Sequence, residues 1–243
     1  MAIALEELGS PYETIAIDLQ NKPKEFCELY ALANPVPNAR AKVPVLEVVT
    51  TTGGGEPVVI TESLVVTNYL AESYPEAGLI PATSEDRATM RLFSELCGSS
   101  SFSYWNILRA KGDNEKFESA VQEFKQGLIN ANTFLEKKGD PQGPFLFGEQ
   151  FTLAECNTAP FIQRACNVLP TFTSEGDDAG TGTSPSTVID PIQICEEEGL
   201  LRLQKWITAT LSRPSVKSIE IPEEDMLQSV SNMLKRFAEM EKK

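Results

Sequence analysis

Two short stretches hold residue types that can grip a charged, peptide-like ligand: Lys42-Val43-Pro44-Val45-Leu46-Glu47 and Ile60-Thr61-Glu62-Ser63. A proline where a strand begins has no N–H to give the ladder. If the Val43-Pro44 bond is cis, Val43 turns its backbone N–H and C=O outward, and a cysteinyl peptide can pair with it as an added strand. An ordinary trans turn proline is the other reading. Glu62-Ser63 stands where a helix should start. There the unpaired N–H groups and the positive dipole end attract a carboxylate, the Ser63 hydroxyl adds a donor, and Glu62 can face an ammonium. Plain capping by Thr61, Glu62 or Ser63 is the alternative.

Composition removes several chemistries. The chain has no histidine, which excludes Ser-His-Asp and Cys-His catalysis and any histidine metal site. Its five cysteines (Cys27, Cys97, Cys156, Cys166 and Cys195) form no CxxC and are odd in number, so neither a disulfide scaffold nor a metal site is expected. They fit a reducing compartment and packing roles, Cys27 included. A net charge of -14 argues against nucleic acid or an anionic membrane as partner. No apolar run approaches the roughly 20 residues of a membrane span, and the acidic start is not a secretory signal. A cytoplasmic protein is expected.

The elements that must position these residues follow from periodicity. Residues 1–8 are good helix formers stopped by Gly9 and Pro11. Thr14 to Leu19 alternates as a strand does, with Tyr12 at its start, and Lys24 to Leu32 reads as a helix. Asn34 to Asn38 is a turn. Val43–Val49 and Val58–Ile60 make a hairpin about a glycine-rich turn, Thr50 to Glu56. Thr61 and Glu62 then open a helix running to Tyr74, closed by Pro75. The order is an α/β, thioredoxin-like pattern, incomplete at its start, over residues 1–75. A linker is expected at 76–84.

Residues 85–243 read as an all-α helical domain. Thr83-x-x-Asp86 caps a helix carrying Met90, Leu92 and Phe93. Phe117, Val121, Phe124, Leu128, Ala131 and Leu135 form one apolar stripe, and Met226, Leu227, Val230, Met233, Leu234 and Phe237 form another. Thr152 caps a further helix, and Glu155 reaches back to it. Thr171 to Thr187, rich in Ser, Thr, Gly and Asp, reads as a flexible insertion.

Val-Pro before a hairpin, followed by Glu-Ser at a helix start, resembles the glutathione-binding half of the glutathione transferase family. Asn21-Lys22-Pro23 resembles the omega-class and related cysteine-type branches. Phe145 to Glu155 resembles the family's helical-domain capping motif, with glutamate where aspartate is usual. The likeness runs over residues 1–170 and more loosely over 198–215. Val36 to Ala41 is longer than the usual turn before Val-Pro.

The resemblance implies that Lys22, Val43, Pro44, Glu62 and Ser63 bind glutathione as co-substrate, without a metal, for conjugation or thiol transfer. It implies a second, small-molecule or thiol substrate, for which Tyr104 and Trp105 are candidates beside a core-packing role, and a homodimer. In the family the reactive Ser, Cys or Tyr precedes the first helix. Met1 stands where that helix has begun, so no catalytic residue is assigned in this chain. A natural protein longer by roughly 20–30 residues is expected, supplying that strand and helix start. A cysteine there implies reduction or deglutathionylation, and a serine conjugation. The alternative is a non-catalytic binding or assembly module on the same fold.

Overall fold

The computed structural model describes residues 1–49, 57–98, 102–110, 112–174 and 188–241. The chain divides into two compact units, Met1–Ile80 and Pro81–Lys243.

The first unit opens with α1 (Ala2–Leu8), which buries Ile3, Ala4 and Leu5 and ends at Gly9 with φ 64°. That left-handed stop suits a residue without a Cβ. α2 (Lys24–Ala33) turns Phe26 and Tyr30, four residues apart, into a small core with Ala41. β1 (Val45–Val48) and β2 (Val58–Thr61) pair antiparallel, Val45 opposite Thr61 and Val48 opposite Val58. The glycine-rich turn between them lies outside the described residues. α3 (Ser63–Ser73) follows, and packs against α1 and β2. A 3-10 turn, Pro75–Ala77, leads to the buried Leu79.

Several expectations are corrected here. Thr14 to Leu19 is not a strand. In a strand Ile15, Ile17 and Leu19 would share one face. Instead Ile17 packs against the Phe26–Tyr30–Ala41 core while Ile15 is 74% exposed. Alternation becomes a strand only beside a partner, and among the described residues the sheet contains β1 and β2 alone. Tyr12 therefore begins no strand; its hydroxyl donates to Glu6. Thr61 belongs to β2, and Glu62 stands immediately before a helix that opens at Ser63. Cys27 is exposed rather than packed. It follows Phe26 by one position, about 100° around the helix from the buried face.

The second unit is helical. α4 (Ser84–Cys97) starts at Thr83, whose hydroxyl accepts from the Asp86 N–H at 3.1 Å and donates to the Asp86 carboxylate at 2.7 Å. The short α5 (Trp105–Arg109) precedes α6 (Asn114–Lys138), which buries the whole Phe117–Leu135 stripe. α7 (Leu153–Ser174) runs on past Pro170, so residues 171–174 are helix rather than loop. The Thr173 hydroxyl holds that last turn: it donates to the Leu169 carbonyl and accepts from the Ile189 N–H. Residues 175–187 of the expected insertion lie outside the described residues.

α8 (Pro191–Glu197), α9 (Leu201–Ser212), α10 (Pro214–Lys217) and α11 (Glu223–Glu241) complete the unit. Trp206 of α9 is fully buried, with the Phe93 and Phe102 rings 5.5 and 6.1 Å from it. Met226 and Val230 of the last stripe are buried, and Phe237 lies under the Arg109 guanidinium at 4.2 Å. No helix among the described residues is long and apolar enough to cross a membrane.

Candidate functional site

The sheet register brings four of the five expected site residues together. Val45 faces Thr61 at the end of the ladder, so Val43-Pro44 before β1 and Glu62-Ser63 after β2 emerge side by side. The Thr61 hydroxyl fastens the junction, donating to the Pro44 carbonyl at 3.1 Å. The Val43–Pro44 peptide bond is cis. Val43 is 48% exposed, and no hydrogen bond from its backbone is present among the described residues. Its N–H and C=O are open to a peptide backbone.

Glu62 is the strained residue of the site. Its φ of 68° lies in the left-handed region, which a glutamate rarely occupies. Such strain costs about 1–3 kcal/mol and persists where the surroundings impose it. Here the constraint is the abrupt passage from β2 into α3 with Thr61 tied to Pro44. Neither Glu62 nor Ser63 is used as a side-chain cap on α3, and both are exposed. The first N–H groups of α3 are thus left for an anion.

Lys22 reaches the segment that leads into β1. Its half-buried amine donates to the Ala41 carbonyl at 2.6 Å, two residues before Val43. Beside it is a cavity of about 350 Å³ lined by Leu19, Lys22, Arg40, Ala41, Lys42 and Val43. Arg40 and Lys42 carry no signal of their own in the motif, but they lie on either side of Ala41, where Lys22 is anchored. The readable clue was a pair of cations in a run, residues 29–46, that holds no acidic side chain.

The remaining candidates lie in the second unit, Tyr104 in its interior and Trp105 half-buried beside it. Tyr104 is buried and stacked on Trp105 with ring centres 5.1 Å apart, and burial pushes its hydroxyl pKa up. Burial likewise pushes the Cys97 and Cys195 thiols up to about 12, so they stay protonated at neutral pH. Cys166 is raised further by burial and by the nearby Asp190. Among the described residues no group of His, Cys, Asp or Glu is arranged to hold a metal.

The expected cap on α7 is present and larger than its motif. The fully buried Glu155 carboxylate accepts from the Thr152 N–H and hydroxyl, both at 3.0 Å. It also accepts from the Leu146 N–H at 2.9 Å and the Trp206 indole N–H at 3.0 Å. Arg202 holds the preceding loop by donating to the Pro144, Asp140 and Phe145 carbonyls. Gly143 is needed there, since a Cβ would sit 2.0 Å from the Gly148 backbone.

Comparison with known proteins bears on the family and the fold. Residues 1–73 match the glutathione S-transferase N-terminal domain, and residues 118–182 match the glutathione S-transferase C-terminal domain. A probable cytosolic glutathione S-transferase of Oryza sativa subsp. japonica is 30% identical over 158 residues, 65% of this chain and 61% of the relative. Glutathione S-transferase omega-1 of Mus musculus is 30% identical over 162 residues, 67% of this chain and 60% of the relative. The chain thus matches about three fifths of the length of these curated relatives. The structure of glutathione transferase Omega 2C from Trametes versicolor superposes with a TM-score of 0.65 at 22% identity, covering 96% of this chain and 92% of that one. The fold is therefore a thioredoxin-like N-terminal domain followed by a helical C-terminal domain, and the chain belongs to the glutathione transferase family.

Proposed function

We propose that this chain binds glutathione through Lys22, Val43, Pro44, Glu62 and Ser63 and belongs to a glutathione-dependent transferase or thiol reductase. The observation that carries the reading is the junction at Pro44 and Thr61, which sets an open backbone at Val43 beside an uncapped helix start at Ser63. The γ-glutamyl head group would lie at Glu62 and Ser63, its carboxylate on the α3 N–H groups and its ammonium toward Glu62. The cysteinyl residue would pair with the Val43 backbone, as in strand addition. The terminal carboxylate would meet the Lys22 amine.

No catalytic residue is assigned within the chain. Cys97 and Cys195 are too weakly acidic to supply a thiolate at neutral pH. A cytoplasmic setting, a homodimer and a second, thiol or small-molecule substrate are part of the same proposal. They rest on the family resemblance.

Titration calorimetry with glutathione tests the reading. Binding to the full chain is expected, weakened about tenfold by Ser63→Ala and similarly by Lys22→Ala. No heat at millimolar glutathione, with the protein folded by circular dichroism, would overturn it. Binding without turnover against dehydroascorbate, mixed disulfides and common electrophiles would favour a non-catalytic binding module.

A further inference from the structure

The first 80 residues contain eleven acidic side chains and four basic ones: Lys22, Lys24, Arg40 and Lys42. Lys24 pairs with Glu28 at 3.1 Å. The other three line one cavity of about 350 Å³, and no carboxylate is among its lining residues. None of the three makes an ion pair among the described residues. Residues 29–46, which hold Arg40 and Lys42, carry no acidic side chain, so the sequence leaves these cations without a carboxylate close along the chain. Three unpaired cations around one concavity form a local positive field that attracts an anion. The volume is within the range of small-ligand sites.

The chain direction says which end of a ligand this cavity would meet. Glu62 and Ser63 lie beyond Pro44, on one side of Val43, while Ala41 and its bound Lys22 lie on the other. A peptide pairing antiparallel to Val43 by its cysteine then sends its later residues toward Ala41. One carboxylate there is matched by Lys22 alone. Arg40, with a planar fork suited to a carboxylate, and Lys42 exceed that need.

We propose, building on the glutathione reading above, that this cavity selects a thiol peptide more acidic than glutathione: a γ-glutamylcysteinyl peptide whose part beyond the cysteine carries at least two carboxylates. Lys22 takes one of them, and Arg40 with Lys42 takes the second. The basic pair thus sets specificity among thiol peptides.

The test compares three probes by calorimetry on the full chain: γ-Glu-Cys-Gly, γ-Glu-Cys-Glu and γ-Glu-Cys-Gln. The last two match in size and differ in one charge. The glutamate peptide is expected to bind about three- to tenfold tighter than the glutamine peptide. That ratio should fall to about one in the double variant Arg40→Gln, Lys42→Gln, and should shrink at about 0.5 M salt. Both residues are exposed, so the variant is expected to stay folded, as circular dichroism will show. Equal affinity for the two peptides in the unaltered chain, with glutathione bound, overturns this inference alone. A ratio that survives in the double variant also overturns it. No binding of any probe overturns it together with the glutathione reading.

Discussion

A threonine and an acidic residue stand at or just before the starts of α7 and α3, and those two starts are opposites. At α7, Thr152 and Glu155 satisfy each other, and the carboxylate goes on to engage Leu146 and Trp206. The donors of Leu146, Thr152 and Trp206 all meet that carboxylate, and the site is buried. At α3, Thr61 turns back to the Pro44 carbonyl, Glu62 is held at φ 68°, and no side chain caps the helix. The same dipole and the same orphan N–H groups are closed by the protein at one end and left open at the other. A satisfied helix start contributes stability. A strained, uncapped one gives up stability and is available to a ligand.

The largest expected difference between the two is in stability. Glu155→Ala leaves four donors buried without a partner, and should cost about 3–5 kcal/mol. Urea denaturation read by Trp206 fluorescence would measure this. A loss under about 1 kcal/mol would mean that the α7 start is not the closed end described here. Ser63→Ala should change stability by less than about 0.5 kcal/mol, because the side chain is exposed and caps nothing. Its effect belongs in glutathione affinity, about tenfold.

How far each start could be read from sequence follows from which partners are local. The Thr152–Glu155 pair spans three residues, so spacing alone reveals it. So does the Phe117 to Leu135 stripe, because a helix satisfies its own backbone and its pattern needs no neighbour. Trp206 joins Glu155 across 51 positions, and no local pattern announces that bond. Thr14 to Leu19 fails for a related reason. Its alternation is real, but a strand requires a second chain segment, and none pairs with it among the described residues. At the α3 start the motif gave the residue types, and resemblance gave their role. The strain at Glu62 depends on the whole β2–α3 junction and was not legible. Arg40 and Lys42 were visible only as two of the four cations in the first 80 residues.

That strain gives a sharper comparison. Replacing Glu62 by glycine relieves the left-handed backbone and removes a side chain that caps nothing. Relief of about 1–3 kcal/mol, offset by the extra freedom of glycine when unfolded, leaves a net gain of about 1 kcal/mol. The same change removes the carboxylate proposed to face the ligand's ammonium, so glutathione affinity should fall. A rise in Tm with weaker binding is the expected pair of results. Lower stability would mean that the Glu62 side chain supports the fold, and the contrast between the two helix starts would fail.

The smallest effect is in pH. Burial raises the Glu155 carboxyl above the ordinary range, and its four hydrogen bonds pull it only part of the way back. The native protein then keeps this proton to higher pH than the unfolded chain does. The group's contribution to stability is complete below the ordinary carboxylate range and is lost as pH rises through its raised native value. Glu155→Gln removes the titration while keeping the shape. The stability gap between the natural chain and this variant should be widest near pH 4 and narrow toward pH 8. A gap that widens with pH would show that the donors from Leu146, Thr152 and Trp206 outweigh burial, and that the closed helix start is built around an anion at every working pH.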